Sequence, residues 1–143
     1  MTDLKPLYTA TVEATGGRAG TARSRTGSLE VTLARPAERG TGAGTDPEEL
    51  FAAGYAACFA SAMTVAARRE KVRLGPCTVS GSVTLGEQPD GRYALAVHLE
   101  VDAPECAPAE LRTVVATADT LCPYSNALRD GAPVTIELAE RAA

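Results

Sequence analysis

The sequence predicts an α+β fold in which antiparallel sheets surround one buried central helix. Three observations point there. Short alternating segments recur at both ends and in the middle of the chain, a single long apolar run separates them, and no β-α-β regularity or internal repeat links them. A length of 143 residues fits a single domain, 1–143, long enough to bury a real core.

Leu7 to Ala14 alternates, with Tyr8, Ala10, Val12 and Ala14 on one face, and is expected as a strand. Gly16-Gly17-Arg18-Ala19-Gly20 forms the turn that follows, holding Arg18 among glycines. Ser28 to Arg35 alternates again through Leu29, Val31 and Leu33. From Pro36 to Thr45 the chain turns to Gly, Ala and Pro, the composition of a loop. Gly40, Gly42 and Gly44 do not make a phosphate cradle: no Gly-Lys-Ser/Thr follows, and Asp46, Glu48 and Glu49 would repel a phosphate.

Asp46 is a natural N-cap, with Pro47 at the first helical position and Glu48 and Glu49 at the positive end of the dipole. The helix should run to Arg69-Glu70. Phe51, Tyr55, Phe59 and Met63 form a bulky stripe, and small residues cover the remaining faces, so burial nearly all round is expected. One chain of this size has little material to wrap such a helix, which points to a dimer. Leu50 to Ala67 carries no charge over 18 residues, the length of a membrane span. Its richness in Ala, Gly and Ser, and its isolation as the single such segment, favour a soluble core helix.

Thr78 to Leu85 and Arg92 to Asp102 form a hairpin about Gln88-Pro89-Asp90-Gly91. Tyr93, Leu95, Val97, Leu99 and Val101 share one face of its second strand; His98, the one histidine, falls on the other and reads as a solvent-side residue. Pro108 opens a second helix whose apolar face, Leu111, Val114, Val115, Ala118 and Leu121, leads to Cys122. Pro123 starts a short helical turn, Tyr124 to Leu128, stopped by Asp130-Gly131. Val134, Ile136 and Leu138 then make a last strand.

A net charge of −4, with no basic stripe to neutralise phosphates, argues against nucleic acid as a partner. The opening Met-Thr-Asp-Leu-Lys-Pro lacks a secretion signature, so a cytoplasmic protein with no membrane association is expected. Four cysteines in that setting are chemical or incidental rather than a disulfide framework. They follow no ligand spacing, and no metal or bound cofactor is expected.

Two of the thiols have telling settings. Cys58 lies inside the apolar helix, and Cys122 stands where the second helix breaks at Pro123. A thiolate at Cys58 needs a cation, because burial alone raises the thiol pKa. A charge-assisted contact worth roughly 1.5–3 kcal/mol would move it by about one to two units. Cys122 sits where the orphan N–H groups of the next helix can stabilise a thiolate. These considerations leave open which cysteine attacks first. Cys77, after Gly75-Pro76, and Cys106, in a loop, show no activating arrangement and read as incidental.

Asp46 to Phe59 (DPEELFAAGYAACF), Cys122 to Ala127 (CPYSNA) and Tyr8 to Gly20 (YTATVEATGGRAG) resemble the signature segments of the organic hydroperoxide resistance proteins, the Ohr branch of the Ohr/OsmC family. The likeness runs through the whole chain in order; Asp46 stands where the family commonly has Asn, and either caps the helix. It implies a cysteine-based peroxidase: Cys58 attacks the hydroperoxide and becomes a sulfenic acid, and Cys122 resolves it as a disulfide. Arg18 is implied as the cation stabilising the Cys58 thiolate, and Glu48 as the carboxylate orienting Arg18. Dihydrolipoyl groups, as dihydrolipoamide or on a lipoylated protein, are the implied external reductant. The implied fold is an intertwined α+β homodimer with sites at the subunit interface and an apolar channel suited to alkyl or fatty acyl hydroperoxides.

Glu48 and Cys58 are ten positions apart (58 − 48), about 15 Å along one straight helix. A site completed by Glu48 of the partner subunit is the expectation this spacing gives. The neighbouring alternative is the OsmC branch, with the same chemistry; Arg18, Tyr124 and Asn126 favour Ohr. The alternative of another class is a non-catalytic thiol redox sensor or apolar-ligand carrier.

Overall fold

The computed structural model describes residues 3–140. Three strands come first: β1 (Val12–Thr15), β2 (Thr21–Ser24) and β3 (Glu30–Thr32), an antiparallel meander in the order β1-β2-β3. β1 and β3 are shorter than the alternating pattern suggests, and β2 forms where no strand was expected. Leu7 and Tyr8, expected in the first strand, are exposed and outside any element, because none of the described residues pairs with them or covers them. The Gly16–Gly20 turn contains a single 3₁₀ turn, Gly17–Ala19. Gly20 permits its closure, since a Cβ there would lie 1.7 Å from the Thr15 carbonyl oxygen.

The main body is built on α1 (Pro47–Glu70), which starts where its capping residues dictate. Asp46 accepts the Glu49 N–H at 2.9 Å, the N-cap bond expected of it. At the other end Lys71 adopts a left-handed conformation, φ 57°, that closes the last turn onto the Ala67 and Arg68 carbonyls. β4 (Thr78–Glu87) and β5 (Tyr93–Asp102) form the predicted hairpin, in register from Thr78↔Asp102 to Glu87↔Tyr93. α2 (Pro108–Leu121) and α3 (Pro123–Asp130) follow, broken at Cys122 as expected.

α1 packs between this hairpin and α2. Tyr55, Phe59, Met63 and Ala66 meet Val114, Ala118 and Cys122 in the core, flanked by Val79, Val97, Leu99 and Val101 of the sheet. Small residues permit the approach: a Cβ on Gly81 of β4 would sit 3.1 Å from the Ala52 carbonyl oxygen of α1. α1 is long and apolar enough to cross a membrane, yet it supplies most of this core. His98 is exposed, as its strand face predicts.

Two expectations are corrected within the chain. Residues 131–140 form no strand, and Val134, Ile136 and Leu138 are almost fully exposed; the alternation is present, but no neighbouring strand offers a ladder. Nor is α1 buried all round: Ala53, Ala57, Ser61 and Val65 form an exposed stripe, because α2 and the hairpin cover only part of the helix circumference.

Candidate active site

The four residues singled out above come together as two pairs. The first pair lies at the start of α1. Arg18, carried on the glycine turn, donates from both terminal nitrogens to Glu48, Nη1 to Oε2 at 2.8 Å and Nη2 to Oε1 at 2.6 Å. This planar fork is the strong form of an Arg–carboxylate contact. Glu48 is buried, and the hydrogen bonds from Arg18 hold its carboxyl down at about 2, against the opposing cost of burial. The same contact raises the Arg18 guanidinium, with smaller contributions from the charges of Glu48 and Asp46.

Asp46 extends the pair. Its Oδ2 lies 2.6 Å from Nη2 of Arg39, so the loop before α1 is tied to the helix cap. Nothing in the glycine-rich composition of residues 36–45 signalled that tie. A cavity of about 260 Å³ opens beside the pair, lined by Arg18 and Glu48 together with Phe51, Leu85, Tyr93 and Leu95.

The second pair is Cys58 and Cys122. Both are free thiols; Cys58 is half-buried on α1 and Cys122 is fully buried at the α2–α3 corner. Burial pushes the Cys58 thiol up, and neighbouring Cys122 raises it further by charge and hydrogen bonding. The backbone N–H of Tyr124 works against both. The Tyr124 amide at the start of α3 thus acts on Cys58, one helix across. Among the described residues, no hydrogen bond or ion pair joins Arg18 or Glu48 to Cys58.

Aromatic packing holds α3 against α1. The Tyr124 ring stacks on Tyr55, centroids 5.5 Å apart at 19°, and meets Phe51 edge-on at 5.8 Å and 87°. Its hydroxyl passes over Gly54, where a Cβ would come within 2.4 Å of the oxygen. Tyr55 and Ser125 share a buried hydroxyl–hydroxyl hydrogen bond of 2.6 Å. These residues were legible only as a stripe and a motif, not as partners.

Cys77 and Cys106, taken as incidental, lie close enough for the Cys77 thiol to feel Cys106. Burial first, then the charges of Asp102 and Cys106, raise it. Among the described residues, no group of three or more His, Cys, Asp or Glu is arranged to hold a metal ion.

The chain that carries these two pairs matches a known class of protein in sequence and in fold. The family described as OsmC-like protein matches residues 40–137. An organic hydroperoxide resistance protein of Xanthomonas axonopodis pv. citri (strain 306) is 46% identical over 138 residues, covering 94% of this chain and 96% of its own. The organic hydroperoxide resistance protein OhrA of Bacillus subtilis (strain 168) is 40% identical over 139 residues, covering 95% and 99%. The crystal structure of Bacillus subtilis OhrB superposes with a TM-score of 0.80 at 36% identity, covering 87% of this chain and 93% of that one. The chain therefore belongs to the OsmC-like family, in its organic hydroperoxide resistance branch.

Proposed function

We propose that this protein is a cysteine-based peroxidase that confers resistance to organic hydroperoxides by reducing them to alcohols. The observation that carries the proposal is the apposition of Cys58 and Cys122 at the start of α3, with the Tyr124 amide directed at Cys58. Kinship with proteins named for organic hydroperoxide resistance supports it.

In this scheme the Cys58 thiolate attacks the terminal peroxide oxygen. The O–O bond breaks, the alkoxide leaves and is protonated to an alcohol, and Cys58 becomes a sulfenic acid. Cys122 then displaces hydroxide from that sulfur, forming the Cys58–Cys122 disulfide and water. Two thiols of a dihydrolipoyl group, free or on a lipoylated protein, return the two electrons by exchange. No bound cofactor takes part.

Arg18 stabilises the thiolate and polarises the peroxide, and Glu48 orients Arg18. Because these two lie apart from Cys58 within one chain, the complete site takes Arg18 and Glu48 of the partner subunit in a homodimer. The open stripe Ala53–Ala57–Ser61–Val65 and the exposed apolar residues at both ends of the chain support that assembly. The cavity of about 260 Å³, apolar but for Arg18 and Glu48, suits an alkyl or fatty acyl hydroperoxide. We place this chemistry in the cytoplasm, within one domain.

The test is steady-state consumption of an alkyl hydroperoxide with dihydrolipoamide, comparing wild type with Cys58→Ser. Many turnovers in wild type and none in the variant are expected. One equivalent consumed per chain, followed by silence despite reductant, would replace the enzyme with a sensor or carrier.

A further inference from the structure

We infer that the Tyr55–Ser125 hydrogen bond holds Cys122 in register with Cys58, making Tyr55 and Ser125 positioning residues for closure of the disulfide. The inference rests on the peroxidase reading of those two thiols and adds residues that the reading does not use.

The cysteines and the two hydroxyl residues sit at matching offsets on the two segments that meet. Tyr55 precedes Cys58 by three residues on α1, and Ser125 follows Cys122 by three at the opening of α3. Cys58 packs against the core cluster that contains Cys122, and three residues away in each segment hydroxyl meets hydroxyl. The hydroxyl pair spans 2.6 Å, with Ser125 1% exposed and Tyr55 7%. Among the described residues it is the one hydrogen bond between a side chain of α1 and a side chain of α3.

The rest of the corner ties α3 to α2 instead. Asn126 Nδ2 donates to the Thr120 carbonyl at 3.1 Å, Arg129 donates to Asp119 at 2.8 Å, and the Asn126 N–H returns to the Cys122 carbonyl at 3.0 Å. Cys122 and α3 thus form one piece with the end of α2. Tyr55–Ser125 is the buried directional contact between side chains of that piece and of the helix carrying Cys58; Thr117–Glu70, at the far end of α1, is exposed. The Tyr124 stack adds adhesion, but a stacked ring slides where a hydrogen bond does not.

Register matters because two reactions compete for the Cys58 sulfenic acid. In closure, the Cys122 thiolate forms an S–S bond to the Cys58 sulfur, the S–O bond breaks, and hydroxide leaves to become water. In overoxidation, the sulfenate attacks a second hydroperoxide, whose O–O bond breaks, leaving Cys58 sulfinate and an alcohol. A corner released from α1 presents Cys122 to Cys58 in fewer of its conformations, so closure slows while the bimolecular reaction does not.

The test uses the reduced full chain as Tyr55→Phe, Ser125→Ala and the double variant. Cumene hydroperoxide is added, and intact-mass spectrometry separates the disulfide (two hydrogens lost) from the sulfinic acid (two oxygens gained). The ratio of products is scored within each sample, so changes in the first oxidation cancel. Sulfinic acid relative to disulfide should rise about fivefold in each single variant, the factor one net hydrogen bond supplies. The double variant should be no worse than either single one. Equilibration with oxidised and reduced dithiothreitol reports the same register without peroxide, and the effective concentration of the thiol pair should fall by a similar factor. Wild-type ratios in the single variants, or an unchanged dithiothreitol equilibrium, would overturn the inference; so would additive losses. If the dithiothreitol shift appears but wild type gives neither product with hydroperoxide, the peroxidase reading fails while the register survives.

Discussion

Gly54→Ala pits two opposed effects against each other at one carbon. Gly54 lies within α1, where exchanging glycine for alanine ordinarily stabilises a helix by about 1 kcal/mol. Here the new methyl would stand 2.4 Å from the Tyr124 hydroxyl oxygen and 3.1 Å from Cζ. Ordinary contact needs roughly 1 Å more at the oxygen, so the ring must swing off its seat. That ring is held by Tyr55 and Phe51, and each aromatic pair is worth about 0.5–1.5 kcal/mol. Loss of both contacts costs about 1–3 kcal/mol and outweighs the propensity gain. The expected net loss is about 1 kcal/mol, read as a fall of about 2–4 °C in Tm for a chain of this size. The displaced Tyr124 backbone also leaves Cys58, so alkylation of Cys58 by iodoacetamide should slow at a given pH. Thermal unfolding followed by circular dichroism, with a thiol-alkylation rate at pH 7, tests both. A Tm raised by about 2–4 °C, as propensity alone predicts, would refute the argument that Gly54 exists to seat Tyr124.

Further outcomes follow from other parts of the fold. Met63 is fully buried, so Met63→Ala should lose about 2–5 kcal/mol in denaturant unfolding, whereas exposed Thr64→Ala should stay within about 0.5. Lys71→Gly should raise stability by up to about 1 kcal/mol, because a side chain at φ 57° carries a penalty that glycine lacks; no gain would mean the lysine stem makes up the difference. The Glu48 carboxyl titrates at about 2 in the folded chain, below its unfolded value near ~4.3. Its stabilisation is therefore complete above that unfolded value and lost as pH falls through about 2. Glu48→Gln should flatten the acid limb of a Tm–pH profile between those limits, and an unaltered limb would show that the Arg18 fork contributes nothing there. Cys77 should be alkylated with an inflection above the ordinary thiol value of about 8.5. Asp102→Asn should lower that inflection, and no movement would remove Asp102 as a cause.

Several features of the chain could be read locally. Asp46-Pro47 sets the start of α1, the turn residues 88–91 set the hairpin, and Pro123 sets the break at Cys122, because caps, turns and prolines act within a few residues. Family membership was legible for a related reason: its motifs are long, contiguous stretches of chain.

What the residues meet was decided only by the tertiary structure. Glycines around Arg18 mark a turn, but not that its guanidinium closes a two-pronged fork on Glu48, 30 residues away. The N–H groups at the start of α3 were evident from Pro123, yet their direction toward Cys58 depends on how α3 lies across α1. Val134, Ile136 and Leu138 alternate as a strand does and form none, because a strand needs a neighbour as well as a pattern. Periodicity tells which face of an element is apolar; only the packed chain determines what covers that face, and here it leaves part of α1 and both ends uncovered.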